Sequence, residues 1–372
     1  MAELHMNDEN KNLEILCIGN ALVDIFVKLT KEQFRKIDIT KSCHIEYEKL
    51  LGILKRFPNN NAISGGGAAN VAKVAALLGV RTGYMGAVGP DDEFAKIFER
   101  DMRAAGVTLF LTKERKPTGA CIFLQREGEP NVIVASISAG ELLDAKDVKE
   151  DAIRRARIVV IDGYVLNREA LVNRILELAA ECGTMVALDV GSVEMTEAYA
   201  RDIMRYCKEF PLLLFMNKEE AGAFYRRFND DSNEGEKESV GFIDWLFARR
   251  NPLPLKMQTF FQNIANDLVP IIVVKLGAKG AIVFAGGKVH REDTLAVIPK
   301  ETTGAGDAFC AAFLGAWLRD KSFSECASFG NKAAREVLDV DGTFVDRKKM
   351  SGIARLLGGG ATGEADSFAA DG

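Results

Sequence analysis

Residues 302–307 read TTGAGD, and an apolar run follows them directly. Three small residues, Gly304, Ala305 and Gly306, leave backbone N–H groups unpaired at the start of the predicted helix, where the helix dipole also favours an anion. Asp307 adds a carboxylate at the same loop. Fixed donors aimed at a phosphoryl group, next to an acid that can accept a hydroxyl proton, are the components that phosphoryl transfer requires.

The sequence leaves a simpler interpretation of Asp307 open. An acid in the first turn of a helix is stabilised by the helix dipole by about 0.3–1 kcal/mol, without any catalytic role. Two other nucleotide-binding motifs are absent: the P-loop pattern Gly-x4-Gly-Lys-Ser/Thr occurs nowhere in the chain, and GAGDAF lacks the third glycine of a dinucleotide fingerprint. An enzyme that transfers phosphate with this loop would therefore not be a P-loop enzyme.

Two polar clusters further upstream could bind an acceptor molecule. Asn20 and Asp24 follow the apolar strand LEILCIG, at the position where open α/β sheets bind ligands, and an acid there suits a hydroxyl-rich ligand. In SGGGAAN, a glycine turn at Gly65 and Gly66 precedes Asn70, whose amide could bond a polar ligand. The alternatives are a strand-end turn for the first cluster and tight helix–sheet packing for the second.

Two later segments have weaker signals. Asn217 ends the apolar strand LLLFMN, and Glu220 follows three residues later. Taken alone, this spacing favours an ordinary helix N-cap with an acid in the first turn. The segment VVKLGAKG (273–280) predicts a strand and a glycine turn of little specificity.

Strand-like and helix-like segments alternate along most of the chain, which predicts an α/β fold with a mainly parallel sheet covered by helices. Residues 107–140 differ, because they read as consecutive strands separated by turn residues, and they predict a separate small sheet. Residues 229–266 begin with the polar run NDDSNEGEKESVG, and we interpret them as a surface insertion with one or two helices. The polar residues 1–12 and the low-complexity tail 358–372 predict disorder.

Composition narrows the classes of function. The chain has 372 residues, a net charge of -5 and a pI near 5.6, which argues against nucleic acid as a partner. The chain has only three histidines, which argues against a His-rich zinc site or a His-based catalytic triad. Seven cysteines without a Cys-x-x-Cys pair fit buried thiols in a reducing compartment. Without a secretory signal pattern or a long apolar span, we expect no membrane partner and a cytoplasmic protein.

The order of the motifs resembles that of the PfkB, or ribokinase-like, family of carbohydrate and nucleoside kinases. GNALVD, SGGGAANVAKVAALLG, FMNKEEA, VVKLGAKGA and ETTGAGDAFCAAFLGAWL follow one another between about Leu13 and Leu357, and the last of them is highly specific to that family. The resemblance implies a doubly wound α/β kinase domain over 13–357, with a small β-sheet lid formed from parts of 20–50 and 107–140.

The resemblance also implies roles at the acceptor side. Asp307 would be the general base on the acceptor hydroxyl, and the amides of 304–306 would form the anion hole. Asp24, with Asn20, would bind acceptor hydroxyls, and the Asn70 amide would contact the acceptor. Gly65 and Gly66 would form the hinge on which the lid closes.

On the nucleotide side, the resemblance implies that ATP with Mg2+ is the phosphoryl donor. Asn217 and Glu220 match the family's Asn-x-x-Glu pattern, which is tied to magnesium and phosphate through water. Lys275 and Gly277 fall where the family shapes the nucleotide pocket, and Asn331 falls in the helix that borders the adenine.

The sequence departs from the family pattern at positions that bear on the cation and the acceptor. Glu301 stands where Asp is usual, an acid that in some members helps to hold a monovalent cation, so K+ activation is an open alternative. Lys275 stands where Thr is common, and the turn at 127–130 lacks the arginine of many lids. That missing arginine, with GNALVD, favours the adenosine-kinase-like branch. The acceptor and the oligomeric state, a monomer or a homodimer through the lid, stay open.

Functions of two other classes also stay open. A non-catalytic sugar- or nucleotide-sensing member would keep the fold, although the intact Asp307, Gly304 and Gly306 argue against it. An NAD-binding oxidoreductase is the second alternative, and the incomplete dinucleotide fingerprint argues against it.

Overall fold

The fold is described from a computed structural model of the chain. The described residues are 11–58, 61–126, 129–229, 253–297, 299, 302–338 and 345–358. They form two β-sheets, a larger one of nine strands and a smaller one of five.

The larger sheet contains the following strands, numbered together with those of the smaller sheet in chain order: β1 (Leu13–Ile18), β5 (Thr82–Val88), β6 (Thr108–Lys113), β9 (Ala156–Asp162), β10 (Met185–Asp189), β11 (Leu212–Asn217), β12 (Ile271–Lys275), β13 (Ala281–Ala285) and β14 (Lys288–Glu292). Across the sheet they lie in the order β14-β13-β12-β11-β10-β9-β1-β5-β6. β13 pairs antiparallel with β12 and β14, and the other neighbours pair parallel. The central strands are apolar along their length because both faces of the sheet are covered.

Helices cover both faces of this sheet. In chain order, the helices of the described residues are α1 (Lys31–Arg35), α2 (Tyr47–Arg56), α3 (Gly67–Leu77), α4 (Glu93–Ala104), α5 (Glu150–Arg154), α6 (Glu169–Glu181), α7 (Val193–Glu209), α8 (Lys218–Asn229), α9 (Leu255–Asp267), α10 (Ala305–Trp317), α11 (Phe323–Leu338) and α12 (Arg347–Leu356). Of these, α2 packs against the smaller sheet. α3, α10, α11 and α12 contribute to the core on one face, and α5 to α9 to the core on the other. The predicted doubly wound, mainly parallel α/β fold is confirmed. Within the described ranges, no helix is long and apolar enough to cross a bilayer.

The smaller sheet, called the small sheet below, has the strands β2 (Leu22–Lys28), β3 (Cys43–His44), β4 (Asn61–Gly65), β7 (Thr118–Arg126) and β8 (Glu129–Ser138) in the order β3-β8-β7-β2-β4. Parts of 20–50 and 107–140 were predicted to form it, and β2, β3, β7 and β8 lie within these ranges, whereas two strands differ from that prediction. β6 pairs with β5 in the larger sheet, and β4 joins the small sheet. Strand pairing is a long-range choice, so a strand pattern by itself does not say which sheet the strand joins.

The segment predicted as a surface insertion, 229–266, is only partly described. Its helix α9 lies at the surface with Leu255 exposed, and packs one face on the larger sheet through the fully buried Phe261. Residues 230–252 of the predicted insertion lie outside the described residues, as do 1–10 and 359–372 of the predicted tails.

The larger sheet brings five polar positions to one edge. Lys275, Asn217, Asp189 and Asp162 are the last residues of β12, β11, β10 and β9, and Asn20 follows β1. Because these strands are neighbours and parallel, their carboxyl ends meet on the same side, where open α/β sheets bind ligands.

Candidate active site

Asp307 lies in the first turn of α10, which packs against α3. Both helices carry many buried alanines, so their backbones can approach closely. This approach brings together two residues that are far apart in the sequence: the Asn70 amide nitrogen donates a hydrogen bond of 3.0 Å to Oδ2 of Asp307. The predicted base and one predicted acceptor-binding residue are therefore in direct contact.

The loop before α10 turns at Gly304, whose φ of 82° lies in the left-handed region that favours glycine. The Ala305 N–H reaches the carbonyl of Thr302 over 3.3 Å. The N–H groups of Gly306 and Asp307 follow in the first turn, where a helix offers no carbonyl one turn earlier. Ala305, Gly306 and Asp307 line a cavity, so these first-turn amides can face an anion bound there.

The environment of Asp307 favours its protonated form. Burial, followed by the nearby carboxylate of Asp189, raises the pKa of Asp307 to about 7, although the Asn70 hydrogen bond and the Lys275 ammonium act in the opposite direction. A carboxyl group with a pKa near neutrality is divided between its acid and base forms at pH 7, which suits a general base.

The two predicted acceptor residues, Asn20 after β1 and Asp24 on β2, are buried beside the glycine turn. A Cβ atom on Gly65 would lie 2.1 Å from Cγ of Asp24, and a Cβ atom on Gly66 would lie 2.3 Å from the Asn20 carbonyl oxygen. Gly66 also has a φ of 98°. Only glycines can occupy this turn while Asn20 and Asp24 stay in place.

Two charged residues at this end of the cavity were missed by the sequence reasoning. Arg168 donates to Oδ1 of Asn20 over 2.8 Å and also bonds the carbonyl of Gly140, so it fixes the orientation of the Asn20 amide. Asp162 lines the cavity and accepts from the Tyr164 N–H over 3.1 Å, and burial raises its pKa to about 6. The sequence could have indicated Asp162, because it ends an apolar strand, and polar site residues of α/β sheets often stand at that position.

The predicted nucleotide residues line the same cavity. Asn331 on α11 donates to the Glu292 carbonyl over 3.3 Å, and Gly277, with a φ of 58°, follows β12. Lys275 forms an ion pair with Asp189, with Nζ at 3.0 and 2.8 Å from the two carboxylate oxygens. Asp189 is the third charged residue that the sequence reasoning did not assign.

Asn217 and Glu220 form a reciprocal cap at the start of α8. The Asn217 N–H and side-chain amide each donate to Glu220 over 2.7 Å, and the Glu220 N–H donates to Oδ1 of Asn217 over 2.8 Å. Both residues also line the cavity, so the cap is compatible with the magnesium role that the resemblance implies. Burial raises the pKa of Glu220 to about 6.

These residues fit Mg2+ held through water rather than directly. Among the described residues there is no group of three or more His, Cys, Asp or Glu that could hold a metal ion. Mg2+ usually keeps several waters and binds to one or two carboxylates together with substrate phosphates, which suits Glu220 at the cavity wall. Glu301, on which the K+ alternative depends, lies outside the described residues.

A single cavity of about 1140 Å3 joins the acceptor side to the nucleotide side. Its walls include most of the predicted residues: Asn20, Asp24, Gly66, Asn70, Asn217, Glu220, Lys275, Gly277, Ala305, Gly306, Asp307 and Asn331. Ligand pockets commonly have about 300–1,000 Å3, so this cavity has room for two ligands side by side.

Comparisons with known proteins agree with this architecture. The model of the "pfkB family carbohydrate kinase" matches residues 33–242 and 256–349. The chain is 26% identical over 351 residues to adenosine kinase 1 of Arabidopsis thaliana, which covers 90% of this chain and 96% of that protein. It is 25% identical over 371 residues to a 5-dehydro-2-deoxygluconokinase of Clostridium perfringens, with 94% of each covered. The crystal structure of adenosine kinase from Sinorhizobium meliloti superposes with a TM-score of 0.77 at 24% identity, over 92% of this chain and 99% of that one.

The chain belongs to the pfkB family of carbohydrate kinases, and it is a kinase. The resemblance inferred from the ordered motifs is confirmed, and the alternative of an NAD-binding oxidoreductase was wrong.

Proposed function

We propose that this kinase transfers the γ-phosphoryl group of ATP to a hydroxyl group of an uncharged acceptor, with Asp307 as the general base. The observation that carries the proposal is the position of Asp307. It lies between an acceptor-side residue, Asn70, to which it is hydrogen-bonded, and the first-turn amides of α10 at the same cavity.

The reaction follows from this arrangement. The acceptor O–H gives its proton to the Asp307 carboxylate as its oxygen forms a bond to the γ-phosphorus. The bond between that phosphorus and the bridging oxygen breaks, and ADP leaves with the electron pair. The first-turn amides of α10 at the cavity donate to the phosphoryl oxygens, where negative charge spreads during the transfer. Mg2+, held near Asn217 and Glu220 through water, would neutralise part of the nucleotide charge when bound.

Asn70 supports the acceptor position independently. Its Oδ1 atom is buried and has no hydrogen-bond partner among the described residues, while its Nδ2 atom bonds Asp307. A buried carbonyl oxygen without a partner is costly, so such atoms in a cavity point to a missing ligand or water. An acceptor hydroxyl that donates to Asn70 would satisfy this atom and lie next to the base.

The charges at the acceptor end favour a neutral molecule. Asp24, Asp162 and Asp307 all line the cavity there. The Lys and Arg side chains that line the described part of the cavity lie on its nucleotide side: Lys218, Lys275 and Arg335. Arg168 bonds Asn20 and Gly140 but does not line the cavity. An acceptor with a carboxylate or phosphate would therefore face these acids with no described Lys or Arg side chain lining the wall beside them, and like charges at close range cost several kcal/mol.

The small sheet favours an acceptor with an apolar ring. One face of β7 and β8 lines the cavity with Cys121, Phe123, Ile133, Ala135 and Ile137, alternate residues that point to the same side. Asp24 on β2 is the register partner of Cys121 in the same sheet, so the apolar wall continues into the hydroxyl-binding acid. A nucleoside presents a planar base and a neutral ribose, so it fits both surfaces better than a free sugar acid does.

We expect ADP release to be fastest with a nucleoside and at least about 100-fold slower, in kcat/KM, with a sugar acid, because several kcal/mol correspond to that factor. Ribose and ribonate form a matched pair that differs in charge, and a panel of purine and pyrimidine nucleosides tests the apolar wall. A sugar acid or sugar phosphate among the best acceptors would contradict the assignment of a neutral acceptor. No ADP release with any member of the panel would count against the proposed function itself.

The pH dependence of the reaction tests the base. Only the ionised form of Asp307 can accept a proton, so kcat/KM for the acceptor is expected to fall about tenfold per pH unit below about pH 7 and to level off above it. The measurement is initial rates at saturating Mg·ATP across this range. The residual activity of an Asp307→Asn variant should lack this limb. A wild-type profile that is flat through this range would be inconsistent with Asp307 as the base.

A further inference from the structure

Lys275 and Asp189 form an ion pair that spans β11 at the carboxyl ends of the parallel strands of the larger sheet. Lys275 ends β12 and Asp189 ends β10, with β11 between them, and both side chains are only 13% exposed. The ammonium contacts both carboxylate oxygens at 3.0 and 2.8 Å. The positive charge of Lys275 and the negative charge of Asp189 cancel as long as this contact is intact.

The ion pair lies directly beside the loop of the proposed base. A Cβ atom on Gly306 would lie 3.2 Å from Nζ of Lys275, so the ammonium packs against the residue that precedes Asp307. Opposite charges within about 4–6 Å of a buried carboxyl group are weakly screened and act strongly on it.

Asp307 is surrounded by charged or titratable groups from every neighbouring element. Asp189 and Asp162 raise its pKa, and Lys275 lowers it. Among the described residues, Lys73 on α3, Cys17 on β1 and Cys310 on α10 also interact with it electrostatically. Glu220 on α8 interacts with the Lys275 ammonium. The two members of the ion pair therefore act on Asp307 in opposite directions.

We propose that the Lys275–Asp189 ion pair is a positioning element that balances the charge beside Asp307 and so sets the pH range in which this carboxylate can accept a proton. The inference rests on the proposed role of Asp307 as the base. It goes beyond the expectation that Lys275 merely shapes the nucleotide pocket. Breaking the pair from either side leaves the other charge uncompensated next to the base.

The test is the midpoint of the acid limb of kcat/KM in three variants. Lys275→Met leaves an uncompensated carboxylate beside Asp307, so the pH midpoint should rise by about one pH unit or more. Asp189→Asn leaves an uncompensated ammonium there, so the pH midpoint should fall by about one pH unit or more. The double variant should return to within about half a unit of the wild type, since the two residues act through one interaction. Lys279→Met is the control: Lys279 is exposed on the turn after β12 and should leave the midpoint unchanged.

A purely structural role would lower the rate in both single variants without moving their midpoints in opposite directions, and that result would overturn the proposal. So would a double variant that stays shifted. Thermal melting shows whether each variant is folded. If Lys275→Met does not fold, Asp189→Asn and the double variant decide, because the midpoint must fall in the first and return in the second. An Asp307→Asn variant run in parallel separates the two hypotheses: if it keeps full turnover, the proposed function fails, whatever the ion pair does.

Discussion

Asp307→Asn is expected to lower kcat by about 10²- to 10⁴-fold, the usual contribution of a positioned general base. The asparagine keeps the size of the side chain and can still bond Asn70, but it cannot accept the acceptor's proton. ATP binding should change little, because the first-turn amides of α10 stay in place. Single-turnover kinetics with the best acceptor, together with nucleotide titration, would measure both quantities.

The same substitution should not weaken the fold. Burial holds the pKa of Asp307 at about 7, above its usual value near 3.8, so the ionised side chain destabilises the native state above pH 7 and ceases to do so as the pH falls toward the unfolded value. Asp307→Asn should therefore gain thermal stability relative to the wild type at alkaline pH and lose that advantage in acid. A variant with near-wild-type turnover would show that Asp307 is not the base. A variant that melts far below the wild type at alkaline pH would contradict the burial argument.

Gly65→Ala should have the second large effect, by displacing Asp24. The new methyl carbon would lie 2.1 Å from Cγ of Asp24, well inside van der Waals contact, and both residues are in the paired strands β4 and β2. The carboxylate must move by an ångström or more, and misplacements of that size cost about 100-fold in rate. We expect this loss in kcat/KM for the acceptor, with much smaller change in the KM for ATP.

Gly52→Ala is the matched control for this substitution. Gly52 is exposed in α2, and no atom lies within 4 Å of the position that its Cβ would take. Alanine is favoured over glycine in a helix by roughly 0.5–1 kcal/mol, so this variant should be fully active and slightly more stable. Asp24→Asn, which alters charge without a steric clash, should also raise the acceptor KM. Unchanged acceptor kinetics in both Gly65→Ala and Asp24→Asn would remove Asp24 from the acceptor site.

The site gathers carboxyl groups whose pKa values are displaced toward neutrality. Burial raises the pKa of Asp307 to about 7 and those of Asp162 and Glu220 to about 6. Groups of perturbed acids in a cleft are typical of functional sites. Here the three lie on α10, at the end of β9 and on α8, and all of them line the cavity.

Local features of the sequence determined much of this protein. The alternation of apolar strands and helices was enough for the α/β class, since it reflects which faces of each segment must be buried. The helix start at Gly304 and the acid at Asp307 follow from the turn residues themselves. The spacing of Asn217 and Glu220 likewise encodes the cap observed at the start of α8.

The tertiary structure alone decided the features that depend on residues far apart in the chain. Asn70 and Asp307 are separated by 237 positions, and Asp189 and Lys275 by 86, so no local pattern links them. The assignment of β6 and β4 to their sheets depends on pairing partners in the same way. Burial and neighbouring charges, which exist only once the chain is packed, turn Asp307 from an acid at a helix start into a carboxylate that titrates near neutral pH.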